Sequence, residues 1–231
     1  MKKTLQMTFI LGMIFLSENS FGQTNELGSE KIKAEKVTQN TYLDLVLNVV
    51  STNINYGTAN TSLADYKKAV LGGQLGVSFR AGISPKFSLV TELYFLMKGG
   101  SLTTNNPLTI NKSTLRLYTI ELPVLARYHV GRFHVNAGPS IAYNFYGTRE
   151  IEGSTSSVSF TNSSDGFKHW DAGVQMGAGY TFHTKRKTIL LDVRYNYGLT
   201  NIAYSGEMRN RNLIIALHFS NPWKTNPLAR R

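Results

Sequence analysis

Nine charged residues spaced along the chain carry most of its potential for chemistry: Asp44, Arg80, Glu92, Lys98, Glu121, Arg127, Asp171, Asp192 and Arg194. Each occupies an alternate position within a run of otherwise apolar or small residues. Mixed in sign, they suit a paired, hydrogen-bonded network, because an unpaired charge away from water costs several kcal/mol. The chain has no Cys, which excludes disulfides, thiolate metal sites and lipid attachment at a Cys. The five His are His129, His134, His169, His183 and His218. None stands in a metal-ligand spacing, although His129 and His134 flank one tight turn. No phosphate-cradling loop, zinc helix or nucleophile elbow is present. The best-placed group for lipid hydrolysis or acyl transfer is His169 with Asp171 and the hydroxyls of Ser163 and Ser164. It lacks a nucleophile in defined register, and alternation points His169 inward. The sequence therefore predicts no catalytic residue, no cofactor and no metal.

The elements that hold these charges have a period of two. Ile189, Leu191, Val193, Tyr195, Tyr197 and Leu199 alternate with Leu190, Asp192, Arg194, Asn196 and Gly198, giving a strand with one apolar face and one mainly polar face. The same alternation runs through Trp170–Phe182, Phe133–Phe145, Tyr118–Tyr128 and Phe87–Met97, more weakly at about 42–50 and 73–83, and finally through Leu213–Phe219. Eight strands result. Connections near Ser84–Lys86, Gly131 and His183–Lys187 are tight. Those at about 55–69, 99–113, 147–166 and 200–210 are long and rich in Gly, Ser, Thr and Asn. Short and long connections thus fall at opposite ends, as in outer-membrane barrels with periplasmic turns and external loops. The expected fold is all-β: an eight-stranded antiparallel up-and-down transmembrane β-barrel over residues 42–220.

A soluble barrel also has one apolar and one polar face, so three features decide the direction. The polar face is rich in Gly (Gly76, Gly82, Gly138, Gly173, Gly177, Gly179 and Gly198), which suits a narrow interior better than a solvated surface. Charged residues are 17% of the chain, sparse for a soluble surface. The apolar face carries aromatics near both strand ends: Phe87, Tyr128, Phe133, Phe182 and Phe219 toward the short turns, and Phe95, Tyr118, Phe145, Trp170 and Tyr197 toward the long loops. Pairs within a strand lie 8 to 12 residues apart. At roughly 3.3 Å per residue and a tilt of about 40°, that spans about 20–30 Å, close to the apolar band of such barrels.

Before the first strand, Lys2 and Lys3 precede the short apolar run Leu5–Leu16, and Ser20-Phe21-Gly22 places small residues before Gln23. Residues 1–22 read as a signal peptide for Sec-type export, cleaved before Gln23. Residues 23–41 form a polar periplasmic lead-in, and 221–231 a basic tail containing Lys224, Arg230 and Arg231. Loss of Lys2, Lys3 and Glu18 takes the net charge from +11 to +10. In an exported chain without a nucleic-acid-binding signature, this charge points away from nucleic acid, and its basic residues read either as solvated turns or as contacts with lipid head groups.

Several short motifs occur together in order: Glu92-Leu93-Tyr94 to Lys98-Gly99; Tyr118-Thr119-Ile120-Glu121-Leu122-Pro123; Val135-Asn136-Ala137-Gly138-Pro139; Asp171 to Gly179; Arg194-Tyr195-Asn196-Tyr197-Gly198-Leu199-Thr200-Asn201; and Arg209-Asn210-Arg211-Asn212. This run, spread over about 42–220, resembles the outer-membrane β-barrel family of the Bacteroidetes that includes PorT. The resemblance implies a porin-like fold in the outer membrane, with protein secretion and envelope partners as the associated role. The basic tail beyond Phe219 departs from barrels that stop at a terminal aromatic. Three functions remain open at this stage: a non-enzymatic, monomeric barrel that binds a partner, a small porin for solutes, and a lipid-modifying enzyme. Eight strands enclose a space that side chains just fill, which favours a plugged interior over a conducting one.

Overall fold

The computed structural model describes residues 41–58, 60–183 and 188–220. The expected signal peptide, the lead-in to residue 40, the basic turn Lys185-Arg186-Lys187 and the tail 221–231 lie outside the described residues. Eight long strands form the wall: β1 (Thr41–Asn55), β2 (Val70–Ser84), β3 (Phe87–Leu102), β4 (Ser113–Val130), β5 (Phe133–Ile151), β6 (Trp170–His183), β7 (Thr188–Gly198) and β8 (Arg209–Ser220). Each pairs antiparallel with its neighbours in sequence. Pairing of β1 with β8, from Val46↔His218 to Asn55↔Arg209, closes the barrel. Closure leaves no long unpaired edge, and every strand has a hydrogen-bonded neighbour on both sides.

Local chemistry explains the turns. Val130 and Phe133 are paired across Gly131-Arg132, and Gly131 has φ +62°. A two-residue loop with positive φ at its first position matches the right-handed twist of the flanking strands. At the other end, Ser154–Ser157 folds back on Thr148–Ile151 through Glu152 (φ 50°) and Gly153 (φ 79°), so the β4–β5 wall rises above the rest. Lys67–Lys68 similarly extends the wall beside Ser101–Leu102. Pro123 in β4 and Pro139 in β5 each lack an N–H, and the β4–β5 ladder is interrupted between Pro123↔Ser140 and Ala126↔Ala137. Phe145 is the extra residue at the shift between Tyr118↔Tyr146 and Thr119↔Asn144. It bulges outward and reverses the inward phase of β5, so that Gly147 turns inward.

The outward face is apolar. Leu45, Leu47 and Leu71 are 76%, 74% and 72% exposed. The inward face is less uniformly polar than alternation alone suggests. Val50, Tyr94, Leu96, Ile214 and Ala216, from β1, β3 and β8, form a buried apolar cluster inside the barrel. A second cluster, Ile54, Tyr56, Leu63, Leu102, Leu115, Leu117, Phe167 and Ile202, closes the long-loop end.

Candidate functional site

All nine charged positions singled out above face the lumen and are buried. They are not one network but three tiers. Nearest the short turns, Asp192 accepts from Arg127 Nη2 (2.6 Å) and Asn136 Nδ2 (2.9 and 3.2 Å), with His134 Nε2 at 3.3 Å. Arg80 lies 3.9 Å over the Tyr42 ring, and Asp44 is on the adjacent strand, paired in register with Ser78. The ring of His129 approaches that of His134 at 6.0 Å but hydrogen-bonds elsewhere, to the Ser88 hydroxyl at 2.6 Å.

In the middle tier Arg194 Nη1 donates to Glu92 at 2.8 Å, and the Ser78 hydroxyl also approaches Glu92. Beside this pair, Gln175 Nε2 donates to both the Tyr94 hydroxyl and Glu121, and Asn196 Nδ2 donates to the same Glu121 oxygen, each at 2.8 Å. Glu121 is thus held by amides rather than by a cation. In the upper tier Lys98 Nζ meets Asp171 at 2.8 Å, and Asp171 also accepts from Asn210 (2.6 Å) and Thr200 (2.8 Å). The amides Asn136, Gln175, Asn196 and Asn210 are functional parts that a charge-based reading misses. Their signal was their place on the same alternate positions as the charges.

Glycine makes room for these groups. A Cβ at Gly179 would run into the His134 ring, and one at Gly177 into the Arg194 side chain and the Val193 carbonyl. The space bounded by Glu121, Ser140, Asp171 and Asn196 admits no water-sized sphere.

Above the upper tier the long connections fold into the mouth. Leu63, from the short 3-10 helix Thr61–Tyr66, packs with Phe167 of the β5–β6 connection and Ile202 of the β7–β8 connection. Backbone bonds lace these loops together: Lys168 N–H to Ile202 O (2.7 Å), Tyr204 N–H to Gly166 O (3.0 Å) and Thr103 N–H to Tyr66 O (2.9 Å). Burial in this cap pushes the Tyr56 hydroxyl up to about 12. A cavity of about 450 Å³ remains at the mouth, with Leu102, Leu115, Phe167 and Met208 on its apolar side and Arg149, Asp165 and Glu207 among its polar walls. The cap was not visible in the sequence, where these loops read as polar.

His169 lies elsewhere than expected. It does not point into the lumen: its ring is stacked between Tyr143 (5.0 Å) and Phe160 (4.6 Å), and Nδ1 is bonded to the Asn144 carbonyl at 2.8 Å. The reason is that residue 169 precedes β6, so strand alternation does not yet govern it. Ser163 and Ser164 are exposed, Asp171 is committed to Lys98, and among the described residues no hydroxyl is bonded to His169. Among the described residues no group of three or more His, Asp or Glu is set to hold a metal ion.

The outward aromatics fall in two zones. Phe87 and Tyr128 are cross-strand partners, Phe133 packs edge-on against Tyr180 at 4.8 Å, and Tyr180 against Phe182 at 4.7 Å. The Phe219 side chain lies outside the described residues, although its backbone pairs with Ile189. Toward the loops, Phe95 meets Phe145 (6.3 Å), Tyr118 meets Tyr146 (5.6 Å), Tyr143 meets Trp170 (5.1 Å), and Tyr197 lies beneath Arg211. Tyr143, Tyr146 and Tyr180 extend the two sets drawn from the sequence.

Structures similar to this one include Neisserial surface protein A, at 13% identity and TM-score 0.47, covering 78% of this chain and 96% of that one. Ail, the attachment invasion locus protein of Yersinia pestis, is 6% identical with TM-score 0.41, covering 79% and 99%. The N-terminal β-barrel domain of Pseudomonas aeruginosa OprF is 14% identical with TM-score 0.38, covering 79% and 98%. A comparison with curated proteins returns no match. The model of the outer membrane protein beta-barrel domain family matches residues 39–204, well over half of the sequence. With a closed eight-stranded wall, an apolar outer face and a match of that extent, the chain belongs to the outer membrane protein beta-barrel domain family, and its place is the outer membrane.

Proposed function

We propose that this barrel is a non-enzymatic, non-conducting component of the outer membrane that binds a partner through its long-loop cap. In this reading residues 1–22 direct export and are removed before Gln23, and the barrel acts as a monomer in a PorT-like role linked to protein secretion. One observation carries the proposal: buried side chains cross the lumen at three heights, and the long loops fold over its mouth. Three tiers of buried ion pairs and amides occupy the lumen, an apolar cluster that includes Tyr94 packs beside the middle one, and loops fold over the mouth. A solute path would need water-lined space, and the tiers leave none between Glu121 and Asp171. What the barrel offers to the outside is the laced loop surface with its 450 Å³ mouth cavity. Laced loops are pre-organised, which lowers the ordering cost of binding.

The secretion role rests on the motif run over about 42–220 and is tested genetically. Deleting the gene is expected to lower the amount of secreted and surface-assembled protein; unchanged secretion would remove the PorT-like role. Partner binding is tested separately by gentle solubilisation of the outer membrane and recovery of the tagged barrel. A specific envelope protein should co-purify with the wild type and be lost from Phe167→Glu, which breaks the cap while leaving the wall. Recovery of the barrel alone from both would contradict partner binding.

A further inference from the structure

The outward face of β1 changes character along its length. Leu43, Leu45, Leu47 and Val49 are exposed and apolar, whereas Ser51, Asn53 and Asn55 continue the same face with polar side chains. The neighbours change at the same height. Register places Ser51 beside Leu213, Asn53 beside Arg211 and Asn55 beside Arg209. On the other side, the exposed Leu71 gives way to Ala69 and Lys67. A hollow of about 420 Å³ lies between these elements, lined by Ser51, Asn53, Asn55, Lys67, Ala69, Tyr195, Arg211 and Leu213. Its lining holds two cations and no carboxylate.

We propose that this hollow binds a phosphorylated headgroup of an outer-leaflet lipid, with Arg211 and Lys67 on the phosphate and Leu213 and Tyr195 against the start of the acyl chains. Arg211 is already positioned. Its guanidinium lies 3.6 Å over the Tyr197 ring, and Nη1 donates to the carbonyls of Gly198 (2.7 Å) and Asn210 (2.9 Å). Nε and Nη2 remain for an external anion, and a fixed guanidinium matches phosphate oxygens in a two-point contact. Among the described residues neither Arg211 nor Lys67 has a carboxylate partner, whereas Arg209 has Glu207 at 3.8 Å. The two asparagines turn their acceptors inward: Asn53 Oδ1 takes the Ile54 N–H (2.8 Å) and Asn55 Oδ1 the Gly57 N–H (2.9 Å). Their Nδ2 groups stay available as donors, the polarity an anion requires. Lipid is the source because Arg211 stands over Tyr197 in the upper aromatic zone and the hollow opens where the apolar wall of β1 gives way to polar residues. Interfacial aromatics mark headgroup depth in such barrels.

The test uses the purified full chain in detergent, with bisphosphorylated lipid A as the probe and native mass spectrometry as the readout. Wild-type barrel should retain lipid A, should bind dephosphorylated lipid A far more weakly, and should not release lipid A to millimolar inorganic phosphate. The pair Lys67→Gln with Arg211→Gln should weaken retention by about thirtyfold, from the usual contribution of one Lys or Arg at an anionic surface counted twice. Lys86→Gln with Arg132→Gln, exposed at the opposite end, should leave retention unchanged. Heat-modifiable mobility in gels reports that each variant is folded. Equal retention by the Lys67/Arg211 variant overturns the proposal. So does equal binding of dephosphorylated lipid A, or displacement by inorganic phosphate, which would assign the hollow to a free anion. The lipid comparisons need only the wild type, so they decide the matter even if the double variant fails to fold.

Discussion

Asp192 is the residue whose loss should cost most. It is fully buried and is met by Arg127 at 2.6 Å, Asn136 at 2.9 and 3.2 Å, and His134 at 3.3 Å. Asp192→Ala leaves the buried Arg127 guanidinium without its carboxylate and removes the acceptor of the Asn136 amide. Removing one partner of a buried ion pair costs about 3–5 kcal/mol, most of it the penalty on the charge left behind. With a urea dependence of about 2 kcal/mol per molar, the unfolding midpoint should fall by about 2 M. Urea titration of the barrel refolded into phospholipid vesicles, followed by fluorescence of the outward-facing Trp170, measures that shift. Asp192→Asn keeps the shape and should recover little, because Arg127 still lacks a counter-charge. The double variant Arg127→Met with Asp192→Leu removes both charges and should return to within about 1–2 kcal/mol of wild type. An Asp192→Ala midpoint close to wild type would refute the reasoning, as would a double variant no more stable than the single one.

Lipid contact is tested by placing the same charge at two exposed leucines. Leu45→Arg on the wall of β1 should destabilise the vesicle-embedded barrel by about 2–4 kcal/mol in the same titration, and Leu108→Arg in the β3–β4 loop by less than about 0.5 kcal/mol. Gly177→Ala places a methyl against Arg194 and the Val193 carbonyl, and its expected cost is about 1–3 kcal/mol by overpacking. The Tyr56 hydroxyl is raised from 10.0 to about 12, so its burial contributes stability that is complete below pH 10 and lost as pH rises through 12. Limited proteolysis of the loops should therefore accelerate over that window in the wild type and less steeply in Tyr56→Phe.

The wall was legible in the sequence because one physical requirement repeats at every second residue. Alternation from Ile189 to Leu199, the Gly-rich inner face and the contrast between short and long connections together specify eight strands, their order and their direction. Partners within the lumen were not legible. Pairing Arg127 with Asp192, or Lys98 with Asp171, depends on strand stagger around a closed barrel, and no local pattern encodes it. Val50, Leu96 and Ile214 sit on the inward face, where they pack into one buried cluster that only closure of the wall creates. The Phe145 bulge shifts the phase of β5, and His169 stands just before β6, so alternation carried back from Trp170 points it inward when it is not yet part of the strand. Leu63, Phe167 and Ile202 are isolated apolar residues in polar loops, and only the folded mouth brings them into one cluster.

The central claim is that the ion-pair tiers and the loop cap seal the lumen. Planar bilayer recording of the full chain, at protein loads where a porin of comparable size gives frequent insertions, tests it most directly. A sealed barrel predicts a silent bilayer at every voltage short of rupture, with steps emerging only when the plug is thinned, as in Tyr94→Ala combined with Arg194→Ala. Discrete conductance steps of reproducible amplitude from the wild-type barrel would contradict it.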